Sequence, residues 1–203
     1  MTGGRVEAIV GPMFAGKSEE LLRRVRRLQV AGRAVDVVTH ALDTRRGVGA
    51  VTSHAGARLD ARTVASASAL AAGVPDDVGA VAVDEAQFFG PGLVDAVEGL
   101  ADRGLVVIVA GLDVTYDARP FEPMVSLAAL AERVDRLTAV CAVCGRDAPF
   151  HVRADAPPSA GGGADALAPV AEHVGGSETY EARCRDHLGD APWRQGRRSG
   201  TNV

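Results

Sequence analysis

Three groups of residues in this chain have types and spacings that could do chemistry. The first is Gly11-Pro12-Met13-Phe14-Ala15-Gly16-Lys17-Ser18, a Gly-x-x-x-x-Gly-Lys-Ser pattern between an apolar run and a helical pattern. Its glycines let backbone N–H groups turn inward around phosphate oxygens, and the helix that follows adds its positive dipole end. Lys17 would reach the β- and γ-phosphates of a nucleotide, and the Ser18 hydroxyl would bind Mg²⁺. Lys17 is also the only lysine among 22 basic residues, the rest being arginine. Arginine dominance reads as codon bias; the exception reads as need, because a compact ammonium fits under such a loop where a broad guanidinium does not.

The second group is Asp84-Glu85, at the end of the apolar run Ala80-Val81-Ala82-Val83. A carboxylate at the carboxyl end of a neighbouring strand is where nucleotide-bound Mg²⁺ takes its second protein contact, which falls to Asp84, through water. Glu85 is then available to accept a proton from an attacking hydroxyl. The third group is Cys141-x-x-Cys144 with Cys184-x-x-His187, which uses all three cysteines of the chain. Two such knuckles complete a tetrahedral Zn²⁺ site with no open position, a structural site. Three cysteines in a cytoplasmic chain argue against disulfides. The spacing from Cys144 to Cys184 makes the metal the base of a long loop. His40, His54, His151 and His173 are read as ordinary structural or surface residues.

Strands alternating with helices would position these groups. Val6–Val10, Val35–Val38, Ala80–Val83 and Leu105–Val109 read as buried strands. Leu21, Leu22, Val25 and Leu28 recur at helical spacing, with Arg23, Arg24, Arg26 and Arg27 on the remaining, solvated faces. Segments 91–103 and 124–133 read as further helices. The expected fold is α/β: a parallel sheet of the phosphate-loop NTPase (RecA-like) kind, with helices on both faces. Residues 1–138 would form this nucleotide-binding domain and 139–190 a small zinc-binding domain. The stretch 154–163, rich in Ala, Pro and Gly, reads as a flexible loop, and 191–203 as a disordered tail.

At 203 residues, with 47% hydrophobic and 24% charged residues, the chain can bury a real core. A net charge of -4 gives no sign of a basic nucleic-acid surface. The start has too short an apolar run for a secretory signal, and no stretch approaches the roughly 20 apolar residues of a membrane span. A soluble cytoplasmic protein, with no nucleic-acid or membrane partner, is expected.

Read together, GPMFAGKS at 11, DTR at 43, DEAQFF at 84, GLD at 111 with PF at 120, LTAVCAVCGRDAPF at 137 and VGGSETYEARCRDH at 174 resemble the type II thymidine kinase family. The resemblance implies that residues 11–18 bind ATP together with Asp43, Arg45, Asp84 and Gln87, and that Glu85 deprotonates the nucleoside 5′-hydroxyl. It implies a thymine pocket lined by Met13, Phe88, Leu112, Tyr116 and Phe121. The zinc domain would carry a lasso loop whose Val174, Gly175 and Tyr180 contact the base, largely through main chain. Backbone groups suit the imide edge of a planar base while apolar side chains surround the ring. Asp43 and Arg45 would lie near the phosphates, where arginine stabilises transferring charge. Three features depart from the family pattern: Tyr116 replaces the usual Phe, His187 the commoner cysteine, and the Gly- and Ala-rich insertion at 155–169 is long. The resemblance also implies thymidine and deoxyuridine as substrates, a homotetramer, and feedback inhibition by thymidine triphosphate. Two other readings are a nucleic-acid-dependent ATPase, suggested by DEAQ, and a zinc-stabilised binding module without catalysis. The acidic charge disfavours the first, and intact Lys17, Asp84 and Glu85 the second.

Overall fold

A computed structural model describes residues 3–43, 49–52, 56, 58–153 and 179–189. The chain begins with β1 (Arg5–Val10), runs through the glycine-rich loop into α1 (Lys17–Val30), and returns as β2 (Val35–His40). A hairpin of β3 (Ala50–Thr52) and β4 (Arg58–Asp60) precedes β5 (Arg62–Val64) and α2 (Ala67–Ala72). Then follow β6 (Ala80–Asp84), a 3₁₀ turn over Ala86–Phe89, α3 (Gly92–Asp102), β7 (Val106–Gly111), α4 (Met124–Leu130) and β8 (Arg133–Arg136). The last elements are short: β9 (Ala139–Val140), β10 (Asp147–Ala148), β11 (Phe150–Arg153), β12 (Tyr180–Arg183) and α5 (Arg185–Leu188).

Six strands form one parallel sheet in the order β5-β2-β6-β7-β1-β8. The central strands are apolar on both sides because both faces are covered. Ala8, Val10, Val81, Val83, Val107 and Val109 face Leu70 of α2, Leu93, Val97 and Leu100 of α3, and Met124 and Leu127 of α4. The alternate residues Ile9, Ala80, Ala82, Val106, Ile108 and Ala110 face Leu21, Leu22 and Val25 of α1, with Val51 and Leu59 from the hairpin. Helices on both faces of a parallel sheet were expected, and four of its six strands are the apolar runs of the sequence.

Two expectations need correction. The segment 124–133 is helical only to Leu130; Arg133–Arg136 instead extends the sheet beside β1, pairing Glu7 with Arg133 and Ile9 with Asp135. Arg24 does not lie on a solvated face. It is 5% exposed and donates to Glu7 Oε2 at 2.8 Å, to Glu20 Oε1 at 2.9 Å and to Asp135, tying α1 to β1 and β8. A guanidinium can be buried there because its fork meets three carboxylates. Arg23, Arg26 and Arg27 are exposed as read.

Candidate active site

All strands of the sheet run the same way, so their carboxyl ends share one edge, the edge where ligands bind in open α/β sheets. The glycine-rich loop leaves β1 at this edge. Gly11 takes φ +146° and lies so close to β8 that a Cβ would fall 2.4 Å from the Leu137 carbonyl oxygen. Phe14 and Gly16 also have positive φ, and α1 begins at Lys17. Lys17 Nζ donates to the Pro12 carbonyl at 2.7 Å, drawing the side chain back over its own loop. Two acidic residues in the first turn of α1, Glu19 and Glu20, are stabilised by the positive end of its dipole.

Two strands away, β6 delivers Asp84 and Glu85 to the same edge. Asp84 is buried, accepts the Glu85 backbone N–H at 3.0 Å, and shares a hydrogen bond with the Ser18 hydroxyl. Burial, then the charge of Glu85, push its pKa up to about 7 against the opposing pull of Ser18, the Glu85 N–H and Lys17. Glu85 has left-handed backbone, φ 52° and ψ 41°, which turns the chain sharply from β6 into the 3₁₀ turn. Its carboxylate accepts from Gln87 Nε2, and Gln87 Oε1 in turn accepts the Leu112 backbone N–H at 3.0 Å. From β2, Asp43 reaches the same edge with its N–H bonded to the His40 carbonyl at 3.0 Å.

Beside the carboxylates, Met13, Leu112, Phe121 and Tyr180 form a buried apolar cluster, with Phe14 and Tyr116 packed against it. Tyr116 is presented by a tight loop after β7: Val114 bridges Pro120, and the Thr115 hydroxyl bonds Asp117 and accepts the Arg119 N–H at 3.1 Å. Its ring lies 6.5 Å from that of Tyr180, which His151 meets edge-on at 5.8 Å. Phe88 is buried next to His40, with ring centroids 6.1 Å apart. Arg45, Val174, Gly175, His54 and His173 lie outside the described residues, as do residues 154–178 and 190–203.

Cys141, Cys144, Cys184 and His187 converge, their ligand atoms all within 4.8 Å of one another. Tetrahedral zinc with bonds of about 2.3 Å to sulfur and about 2.0–2.1 Å to nitrogen requires S···S edges near ~3.8 Å and S···N edges near ~3.5 Å. The Cys144–Cys184 sulfur separation is 3.8 Å, and His187 Nδ1 lies 3.7 Å from Cys141 and 3.2 Å from Cys184. Burial raises the Cys141 thiol, but backbone N–H groups of Cys184, Val143 and Cys144 outweigh it and bring the pKa to about 5. The donor set therefore fits zinc. Phe14 and Ala15 of the glycine-rich loop pack on Ala139, Cys141, Ala182 and Cys184, so the cysteine cluster buttresses that loop.

Several contributors had little signal in the sequence. Arg146 donates to Cys144 Sγ at 3.5 Å and to Asp186 at 2.5 Å, beside the sulfur cluster; its place two residues after Cys144 was the one local hint. His40 is buried, its Nε2 3.3 Å from the Ala65 carbonyl and its Nδ1 accepting the Leu42 N–H at 3.1 Å, which fixes the arm that carries Asp43. Burial lowers its pKa.

Proteins that place a glycine-rich loop after the first strand and an acidic pair at the end of a nearby parallel strand form the phosphate-loop class of nucleotide-binding α/β proteins, and this chain is one of them. Comparison with known proteins narrows the class. A family profile described as thymidine kinase matches residues 4–188. A thymidine kinase of Chloroflexus aurantiacus is 46% identical over 187 residues, covering 90% of this chain and 93% of the relative. One of Bdellovibrio bacteriovorus is 43% identical, covering 92% and 86%, and one of Deinococcus deserti 44% identical, covering 92% and 95%. The chain belongs to the thymidine kinase family.

Proposed function

We propose that this protein transfers the γ-phosphoryl group of ATP to the 5′-hydroxyl of thymidine, and of deoxyuridine, giving the 5′-monophosphate and ADP. One observation carries the reading: a glycine-rich loop with Lys17, the Asp84–Glu85 pair and the apolar Met13–Leu112–Phe121–Tyr180 cluster share a single edge of the sheet. A nucleotide triphosphate and a flat apolar ring can therefore lie side by side. Residues 11–18, with Asp43 and Arg45, would hold the triphosphate, and Lys17 would balance charge on its outer phosphates. Glu85 would take the proton of the 5′-hydroxyl as its oxygen forms the new bond to phosphorus and the bond to the ADP oxygen breaks. Met13, Phe88, Leu112, Tyr116 and Phe121 would surround the base, with Val174, Gly175 and Tyr180 closing over it.

The oxygen-only set of Ser18 and the buried Asp84 fits Mg²⁺, since a cation favours the carboxylate that burial disfavours. When bound there, Mg²⁺ would supply positive charge against that of the phosphates. Zn²⁺ on Cys141, Cys144, Cys184 and His187 would be structural. The division into a kinase domain at 1–138, a zinc domain at 139–190 and a tail at 191–203 belongs to the same reading, as do a homotetramer, inhibition by thymidine triphosphate and a cytoplasmic location. No described helix is long and apolar enough to cross a membrane.

A nucleoside panel tests the proposal. With ATP and Mg²⁺, ADP release should follow addition of thymidine and deoxyuridine and ignore purine nucleosides and DNA. Phosphate release stimulated by DNA and indifferent to nucleosides would replace the kinase with an ATPase. Glu85→Gln should bind ATP nearly as the parent does and lose turnover; retained turnover removes Glu85 from its role.

A further inference from the structure

Gln87 is 1% exposed and lies two residues beyond the carboxylate assigned as the base. Its two amide atoms have different partners. Oε1 accepts the Leu112 N–H at 3.0 Å; a backbone N–H can only donate, so this bond fixes the amide with its NH₂ toward Glu85. Nε2 donates to Glu85 Oε2. The space for this bridge is kept by Gly111, where a Cβ would come 2.7 Å from Gln87 Oε1 and 2.8 Å from Met124 Sδ. Glu85 cannot hold its direction through its own backbone preference, because its left-handed conformation is one that residues other than glycine rarely adopt and is maintained by surrounding contacts.

We infer that Gln87 is the positioning residue for Glu85: its buried amide clamps the carboxylate in one orientation and ties it to Leu112, a wall of the apolar cluster. The inference rests on the kinase reading of the site. In place of the ATP contact that the family resemblance implies, it gives Gln87 the task of holding Glu85, with Oε1 and one of the two Nε2 hydrogens engaged by protein. The segment that lines the base pocket and the group that accepts the proton thus hang on one side chain. A carboxylate must be held to within a fraction of an ångström to meet a hydroxyl in line with phosphorus, and a displacement near 1 Å can cost about 100-fold in rate.

Two substitutions and one spectrum test this. Gln87→Glu keeps the acceptor for Leu112 but sets a carboxylate against Glu85, and Gln87→Met keeps the length and removes both hydrogen bonds. In each, kcat should fall about 10- to 100-fold, while the dissociation constant for a fluorescent ATP analogue stays within about threefold of the parent, because no phosphate contact is lost. In a Glu85→Asp background, whose shorter side chain has already left the clamp, adding Gln87→Glu should cost less than about threefold. An unchanged kcat, a loss of nucleotide affinity parallel to kcat, or a full additive loss in the Glu85→Asp background would each overturn the inference. A ¹⁵N–¹H spectrum requires no change at Gln87. Its side-chain amide resonances should shift between the parent and Glu85→Gln, and unshifted resonances would also overturn the clamp. Absence of thymidine phosphorylation by the parent protein would defeat the kinase reading instead, and the spectrum would still report on the Gln87–Glu85 contact.

Discussion

Replacing Gly11 with alanine should damage both the sheet and the nucleotide site, and the size of the damage can be worked out. Alanine would be held at φ +146°, where a Cβ is strained, at a cost of about 1–3 kcal/mol. The Cβ would also stand 2.4 Å from the Leu137 carbonyl oxygen and 3.2 Å from its carbon, both backbone atoms that cannot rotate away. Restoring ordinary contact moves the exit of β8 by about 1 Å and sacrifices the bond from Leu137 N–H to the Val10 carbonyl, now 2.8 Å long; a hydrogen bond is worth about 1 kcal/mol net. Together the loss is about 2–4 kcal/mol. For a chain of this size each kcal/mol lowers Tm by about 2–4 °C, so thermal unfolding of Gly11→Ala should come roughly 4–16 °C early. The same melt with saturating ATP should show a smaller ligand-induced rise than the parent, because the loop's first residue has moved. A Tm within 2 °C of the parent, with the ATP-induced rise intact, would refute the account of this loop.

Other outcomes follow from the same structure. Lys17→Arg should fold with a Tm near that of the parent yet lose at least about 100-fold in kcat, since a planar guanidinium cannot replace the compact ammonium beside the Pro12 carbonyl; near-normal turnover undoes the reason given for the chain's one lysine. Metal analysis should find one zinc per chain, and a strong chelator should lower Tm and weaken ATP binding together, because Phe14 and Ala15 lean on the cysteine cluster; an apo protein of undiminished stability refutes the site. Hydrogen bonding to Arg23, opposed by partial burial and assisted by Arg24, lowers the Glu20 pKa from 4.5 to about 2. Its contribution to stability is therefore present above about pH 4.5 and lost as pH falls toward 2, and urea titrations should find the acid loss smaller in Glu20→Gln. Because its main partner, Arg23, is half exposed, that difference should shrink in high salt.

What could be read from the sequence depended on how local the governing physics is. The phosphate loop and the cysteine pairs are short-range patterns whose chemistry fixes their spacing, and the four central strands are apolar because both their faces are buried. The edge strands Arg62–Val64 and Arg133–Arg136 are polar and short, so no hydrophobic period marks them; only pairing with β2 and β1 makes them strands. Arg24 looked like its exposed neighbours because the carboxylates that permit its burial include Glu7 and Asp135, far away in the chain. The link from Gln87 to Leu112 crosses 25 residues and involves a backbone N–H, which no side-chain pattern can announce. The convergence of Met13, Leu112, Phe121 and Tyr180 was legible through likeness to a family, not through any period in the sequence.

The central claim is that phosphate leaves ATP for a nucleoside hydroxyl at the edge shared by Lys17 and Glu85. The most direct measurement follows the label from γ-³²P-ATP with thymidine and Mg²⁺ in the parent protein. The account predicts that the label appears in thymidine 5′-monophosphate in step with ADP. Label recovered only as inorganic phosphate, or left in ATP by folded, zinc-loaded protein, would contradict it.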